Sequence, residues 1–199
     1  LPDSLPAGTV VQNRAHLNHN DVPGNAFPDI AAVASITITQ VAGVSLAPPF
    51  TARTTSDSSL VDYPFTVTNT GNGNDAFDLT TSSTQNWIVA VYLDANGNGV
   101  LEPSELSAGS VTATSSLSAD STEHFIARVI VPGQQADNTV DSLSVLAVSQ
   151  LNGGVAAGGT YVTSVSLARL ALSKNQSIAS PRPGQTIRYT INYSNTGSG

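Results

Sequence analysis

The chain predicts an all-β fold, and three observations carry that prediction. Runs rich in β-branched and aromatic residues, such as 86–93 and 122–130, recur at short spacing with Gly, Asn, Asp and Pro between them. Such residues suit a pleated, half-buried surface, and the punctuation suits tight turns. Residues 123–131 alternate, with Phe125, Ala127 and Val129 on one face and His124, Ile126, Arg128 and Ile130 on the other. No stretch has convincing helical periodicity. Residues 31–34 come nearest, and the β-branched residues after them read as a strand. Strands are expected at 44–48, 60–69, 75–80, 87–93, 110–115, 122–130, 139–148 and 160–168, a number and spacing that predict an antiparallel Ig-like β-sandwich.

A sequence of 199 residues is long enough for one or two domains with a real core. Hydrophobic residues make up 40 % and charged residues only 11 %, which excludes the charge-rich, apolar-poor composition of disorder. The net charge of −7 argues against a nucleic-acid partner. No apolar run approaches the roughly 20 residues that span a bilayer, so no membrane insertion is expected of this segment. The absence of Cys excludes disulfides and thiolate metal sites, and the absence of Met as well suits an oxidising, extracellular setting. The sequence begins without methionine, so a processed chain or an excised piece is expected.

Comparing the chain with itself suggests a repeat. An offset of 126 residues places 65–73 on 191–199, Tyr63 on Tyr189 and 44–46 on 170–172. The same offset places 36–38 on 162–164, Leu17 on Leu143 and Pro6-Ala7-Gly8 near Pro132-Gly133-Gln134. The expected organisation is tandem, with one complete and two partial sandwiches. Residues 1–43 would be the closing strands of one unit, 44–169 a complete unit, and 170–199 the opening strands of another. The partial units would lack the middle segment that contains the loop described next. Their exposed edges need cover, either by packing on each other, by strand addition between subunits, or by further repeats of a longer protein.

The one segment whose chemistry can be named is 94–105, Asp94-Ala95-Asn96-Gly97-Asn98-Gly99-Val100-Leu101-Glu102-Pro103-Ser104-Glu105. It has the spacing of a twelve-position Ca²⁺ loop. Asp94, Asn96 and Asn98 offer side-chain oxygens, Val100 its carbonyl, Glu102 a carboxylate at the ninth position, and Glu105 a bidentate carboxylate at the twelfth. Gly99 permits the sharp turn. The alternative, an Asn-Gly hairpin turn with incidental carboxylates, accounts for Gly97 and Gly99 but not Glu105. Strand-like residues precede the loop, Pro103 lies within it, and 107–114 is not amphipathic. A connection between strands is therefore expected, with the ion acting as a staple rather than a switch.

Other candidates are weaker. His16, His19 and Asp21, with Asn18 and Asn20, could form a second metal patch, but a solvated loop is the simpler reading. His124 reads as a surface residue. Asp75 and Asp78 could form a second calcium site or assist the first. Lys174, the one lysine, invites an isopeptide cross-link but has no acid near it in sequence. Asn175-Gln176-Ser177 and Asn192-Tyr193-Ser194 match glycosylation sequons, as chance allows in Asn-rich sequence. No G-x-S-x-G elbow, phosphate loop or convincing catalytic triad is present, so no enzyme activity is expected.

Lys174, Pro183-Gly184, the alternating Ile187–Ile191 run and Asn195-Thr196-Gly197 together resemble the opening of the conserved-repeat surface-protein domain once called a domain of unknown function, number eleven. Residues 8–15 look like that domain's closing strand. The central unit, with 67–73 and the Asp94 loop, looks like its calcium-carrying relatives. The resemblance implies Ig-like sandwiches strung in tandem in secreted bacterial or archaeal surface proteins. Together with the loop and the exposed edges of the partial units, the expectation is a calcium-stabilised segment or subunit of a filament, sheath or stalk that associates head to tail or with neighbouring repeats. The alternative is an adhesin or ligand-binding module of a larger surface protein.

Overall fold

The computed structural model describes residues 5–18, 20, 23, 24, 28 and 30–199. The chain is all-β: two four-stranded sheets form a central sandwich, and a two-stranded hairpin precedes and another follows it. The first hairpin is β1 (Val10–Leu17) with β2 (Ile30–Thr37). The sandwich comprises β3 (Val44–Ala47), β4 (Phe50–Thr55), β5 (Leu60–Asn69), β6 (Phe77–Ser83), β7 (Ile88–Leu93), β8 (Thr122–Ile130), β9 (Val140–Ser149) and β10 (Ala156–Val165). A short helix, α1 (Pro103–Ala108), lies between β7 and β8, and β11 (Leu170–Gln176) pairs with β12 (Tyr189–Asn195) in the last hairpin.

One sandwich sheet has the order β3-β5-β8-β7 and is antiparallel throughout. The other has the order β4-β10-β9-β6, in which β4 runs parallel to β10. The alternation in the sequence becomes burial. Tyr63, Phe65 and Val67 of β5 and Phe125, Ala127 and Val129 of β8 face Leu143, Val145 and Ala147 of β9 and Tyr161 of β10. Each fully buried large side chain contributes about 1.5–3 kcal/mol. The buried phenols keep partners: Tyr63 Oη donates to the Val162 carbonyl at 2.8 Å, and Tyr161 Oη to that of Pro48 at 3.0 Å. Burial pushes the Tyr161 hydroxyl up to about 12, and burial also raises that of Tyr63. Pro64 is tolerated inside β5 because β3 pairs only with Thr66–Asn69 and ends before reaching it.

Three expectations for single elements are corrected. Strand β4 was not foreseen, since Thr51-Ala52-Arg53-Thr54-Thr55 has no apolar alternation; it is an edge strand held on one side only. The expected strand at 110–115 is an extended crossing segment. Val111 N–H donates to Val91 of β7, while Leu79 of β6 donates to Thr112 and Thr114 donates to Phe77, so the segment laces the two sheets together at one edge. Helix α1 replaces the expected strand-to-strand path after the loop. Its six residues are too few to show a period, but its start signals are present: Pro103 in the first turn, and a capping box between Glu102 and Glu105.

The hairpins repeat pieces of the sandwich down to their register. Pairs Val44↔Asn69 through Ala47↔Thr66 in β3–β5 recur as Leu170↔Asn195 through Ser173↔Asn192 in β11–β12, at the same 126-residue offset. The first hairpin follows β9–β10 with different offsets. Thr9 N–H donates to Pro6 and Thr139 N–H to Ala136, both at 3.1 Å, and Gly8 and Asn138 both have positive φ, 81° and 63°. Pro6-Ala7-Gly8 therefore occupies the place of Ala136-Asp137-Asn138, not of Pro132-Gly133-Gln134. From that anchor, Val11↔Ile36 takes the place of Asp141↔Thr163, and Leu17↔Ile30 that of Ala147↔Ala157. Leu17 thus matches Ala147 rather than Leu143, and Ile36 matches Thr163 rather than Val162. A single offset failed because the β1–β2 connection is longer than the β9–β10 connection and the β2–β3 linker is longer than the β10–β11 linker. The two hairpins form separate sheets with their apolar faces exposed, so they do not close on each other into a second sandwich.

Candidate functional site

The loop begins where β7 ends. Asp94 N–H donates to the His124 carbonyl at 3.0 Å, which continues the β7–β8 ladder by one residue and anchors the first position of the loop. The chain then turns at Gly97 and Gly99, with φ of 69° and 74°. These values favour glycine, and a Cβ at Gly97 would touch the His124 ring and one at Gly99 the Pro64 ring, each at 3.5 Å. The turn is held from inside. Asp94 Oδ1 accepts from Asn98 N–H (3.2 Å) and Oδ2 from Gly99 N–H (2.8 Å). Asn96 Oδ1 accepts from Asn98 N–H (3.0 Å), and Asn98 Oδ1 from Val100 N–H (2.8 Å). These short-range bonds are the ordinary turn chemistry of Asp and Asn.

Helix α1 delivers the far end. Glu105, in its first turn, accepts from Ala95 N–H at 2.8 Å and Glu102 N–H at 3.1 Å, tying the twelfth position to the second. Glu102 accepts from the side-chain amides of Asn96 and Asn98, each at 2.7 Å. Asp94 and Glu105 are only 4 % and 6 % exposed. Among the described residues, neither has a Lys or Arg partner; the ion pair found there joins Arg128 to Asp62. Beside the loop lies a shallow pocket of about 200 Å³ floored by Pro48, Pro64, Thr66 and His124.

As donors, these residues fit a hard cation. Two carboxylates sheltered from water, a third at Glu102, two amide oxygens and the Val100 carbonyl are all oxygen ligands of the kind Ca²⁺ takes. The oxygens of Asp94, Asn96, Asn98 and Glu105 are each engaged by a single N–H group and keep further lone pairs, while the Glu102 carboxylate accepts the Glu105 N–H of the capping box besides the two amides. The side chains are nevertheless not gathered: among the described residues, no three Asp, Glu or His groups stand at metal-holding distance from one another.

The structure gives the other candidates different work. Asp75 accepts from Ser149 Oγ (2.5 Å), Ala76 N–H (2.8 Å) and Leu151 N–H (3.1 Å), fastening the turn after β9. Asp78 is exposed and accepts from Gln150 Nε2. His16 lies on β1 opposite Ala31, while His19 and Asp21 lie outside the described residues. His124 is exposed, as expected. The Lys174 ammonium sits 4.5 Å from the Tyr189 ring centroid, a cation–π contact. Both sequon asparagines are exposed on β11 and β12.

Two features escaped the sequence reading. Asp141 is fully buried on β9. Its Oδ1 accepts from Ser83 Oγ, Thr84 Oγ1 and Gln85 N–H, while Oδ2 has no partner. Its inward place in the alternation with Leu143, Val145 and Ala147 was the signal available. The second feature is a pair of matching clasps. Asn69 Oδ1 accepts from Gly71 N–H and its Nδ2 donates to Gly73; Asn195 does the same with Gly197 and Gly199. Thr70 N–H grips Gly43, and Thr196 N–H grips Arg169. In the first clasp Asn72 takes hold of the incoming chain: Val41 N–H donates to its Oδ1 at 2.7 Å, its Nδ2 donates to Leu5 and Thr39, and Ala7 N–H donates to its carbonyl. In the second, Ser198 holds Asp137 through both its N–H and its Oγ. The Ser198 hydroxyl and the Leu167 N–H hold the Asp137 carboxyl below its ordinary range. Ala7 and Asp137 occupy matching positions, so each Asn-Thr-Gly turn binds the same part of the preceding strand pair. The twice-occurring Asn-Thr-Gly was visible in the sequence, but its partners were not.

No known protein family matches the chain, and no curated protein matches it. Among solved structures, it is similar to a family 123 glycoside hydrolase from Clostridium perfringens (TM-score 0.40, 8 % identity, 63 % of this chain and 27 % of that one). It is also similar to a PapD-like domain of a human protein (0.35, 10 %, 61 % and 82 %) and to surface layer protein SbsC, domains 1–6 (0.34, 8 %, 92 % and 28 %). The chain spans about a quarter of the length of the hydrolase and of SbsC, and no function is carried over from these likenesses.

Proposed function

We propose that the chain is an extracellular structural protein, a calcium-stabilised β-sandwich segment of a bacterial or archaeal cell-surface filament, sheath or stalk. The observation that carries the calcium is the pair of buried carboxylates, Asp94 and Glu105, at the two ends of one Gly-turned loop with no basic partner among the described residues. A bound Ca²⁺ offsets their charge and ties the end of β7 to α1. Asp94, Asn96, Asn98, Val100, Glu102 and Glu105 are the residues that hold it, in a stapling role. The paired clasps support the structural part of the reading, because they restrain consecutive units at both ends of the sandwich.

Thermal melts with calcium and with EGTA, together with calorimetric titration, test the reading. Calcium at a hundredfold excess over Kd stabilises by about 2.7 kcal/mol. Asp94→Ala and Glu105→Ala each remove that increment. Equal melting with and without the ion, with no heat of binding, overturns it.

A further inference from the structure

The exposed apolar faces of the two hairpins are the two halves of a contact that the sandwich already contains. On β11–β12 one face carries Lys174, Gln176 and Asn195 together with the exposed apolar residues Leu170, Leu172, Tyr189, Ile191 and Tyr193, while the other carries Ala, Ser, Asn and Thr. Through the shared register these five apolar residues stand where Val44, Leu46, Tyr63, Phe65 and Val67 stand in β3–β5. On β1–β2 the matching face carries Val11, Ala15 and Leu17 opposite Ile36, Ala32 and Ile30, with Asn13 opposite Ala34 among them. It stands where the inward face of β9–β10 stands. In the sandwich those two faces cover each other: Tyr161 of β10 lies 5.2 Å from the Tyr63 ring and 6.3 Å from the Phe65 ring, and Leu46 joins the same core cluster; on β2 the place of Tyr161 is held by the smaller Ala34.

We propose that the β11–β12 face of one copy of this chain docks on the β1–β2 face of a second copy, reproducing between chains the packing of β3–β5 on β9–β10. The contact uses a different surface on each partner, so it repeats head to tail and forms an open filament rather than a closed dimer. Its driving force is burial of apolar side chains that are otherwise exposed on both hairpins. This deepens the structural reading above by naming the surfaces that join, and it does not depend on the calcium loop.

Sedimentation velocity of the full chain across a concentration series tests it, using Tyr193→Lys on β12 and Ile36→Lys on β2. Both positions are exposed, so the central sandwich keeps its melting temperature in each variant. The unsubstituted chain is expected to form species that grow with concentration beyond the dimer. Each variant alone is expected to associate at least about tenfold more weakly. An equimolar mixture is expected to form a one-to-one dimer and nothing larger, because Tyr193→Lys keeps its β1–β2 face and Ile36→Lys its β11–β12 face. Three results overturn the proposal: an unsubstituted chain that stays monomeric, association that both variants retain, or a mixture that stays monomeric. Melting the same samples in calcium and in EGTA separates the two ideas. Association without a calcium effect defeats the calcium loop alone, and a calcium effect without association defeats the docking alone.

Discussion

Strand pairs β3–β5 and β11–β12 share register, turn and clasp, yet Leu46 is 7 % exposed and its counterpart Leu172 68 %, and Val67 is fully buried where Tyr193 is 78 % exposed. The backbone pattern is local: alternation, an Asn-Thr-Gly turn and a short-range pairing rule produce the same hairpin twice. Burial is not local. It exists in β3–β5 because β9 and β10 return from about a hundred residues later to cover it, and no described strand does so for β11–β12.

The largest expected effect comes from truncating a large apolar side chain on each side of the comparison. Phe65→Ala is expected to cost about 3–5 kcal/mol in urea unfolding of the central sandwich. Ile191→Ala at the matching position is expected to cost under about 0.5 kcal/mol at concentrations where the chain is monomeric. Similar losses at both sites would show that the hairpin face is covered within one chain.

Removing calcium comes next, at about 2.7 kcal/mol for a hundredfold excess over Kd. It bears on the sandwich alone, since the hairpins have no equivalent of 94–105. Hydrogen exchange is expected to quicken at Ala95 and Gly99, whose N–H groups bond to Glu105 and Asp94, and to stay unchanged at Lys174.

Gly71→Ala probes a clasp directly. A Cβ there would lie 2.5 Å from the Val41 carbonyl oxygen, so the linker must move. A local loss of about 1–3 kcal/mol is expected, of the size that overpacking brings. It reads out as faster exchange of the Thr70 amide, which donates to Gly43, and faster proteolysis near 38–43, with the core of β8 unaffected.

The smallest effect is one of pH, and it separates the two clasps. The Asp137 carboxyl is held below its ordinary range in the folded chain, so the folded state binds its proton less readily than the unfolded state. Its contribution to the second clasp is complete above the unfolded value of about 3.9 and fades as pH falls through the lower folded value. Side-chain carboxyl chemical shifts are expected to report that low midpoint, and Asp137→Asn to abolish the pH dependence of the Ser198 amide's protection against exchange, relative to its intrinsic rate. The first clasp uses the neutral Asn72 and is expected to stay flat over the same range.

Much of this was legible residue by residue. Phe125, Ala127 and Val129 announced the inward face of β8, and the turn-rich spacing announced a sandwich. The matching of 63–73 with 189–199 survived as strand register. What misled was also local in origin. Pro103 read as an obstacle to a helix when it was the start of one. Thr51–Thr55 offered no alternation because an edge strand paired on one side needs none. The gap-free offset placed Leu17 on Leu143 because sequence identity is blind to a connection that lengthens between strands.

By itself, the sequence determined the all-β class, the strand faces, the glycine-turned acidic loop and the twice-used Asn-Thr-Gly turn. Each depends on residues within a few positions of one another, where side-chain alternation and turn chemistry act. Only the tertiary structure decided that β4 lies parallel to β10, that Asp94 and Glu105 are sheltered from water, that Asp141 sits inside the core, and that the two clasps seize Ala7 and Asp137. Those outcomes depend on which distant segments come to lie together. That choice is made by the burial of whole sheet faces, a quantity no short stretch of sequence contains.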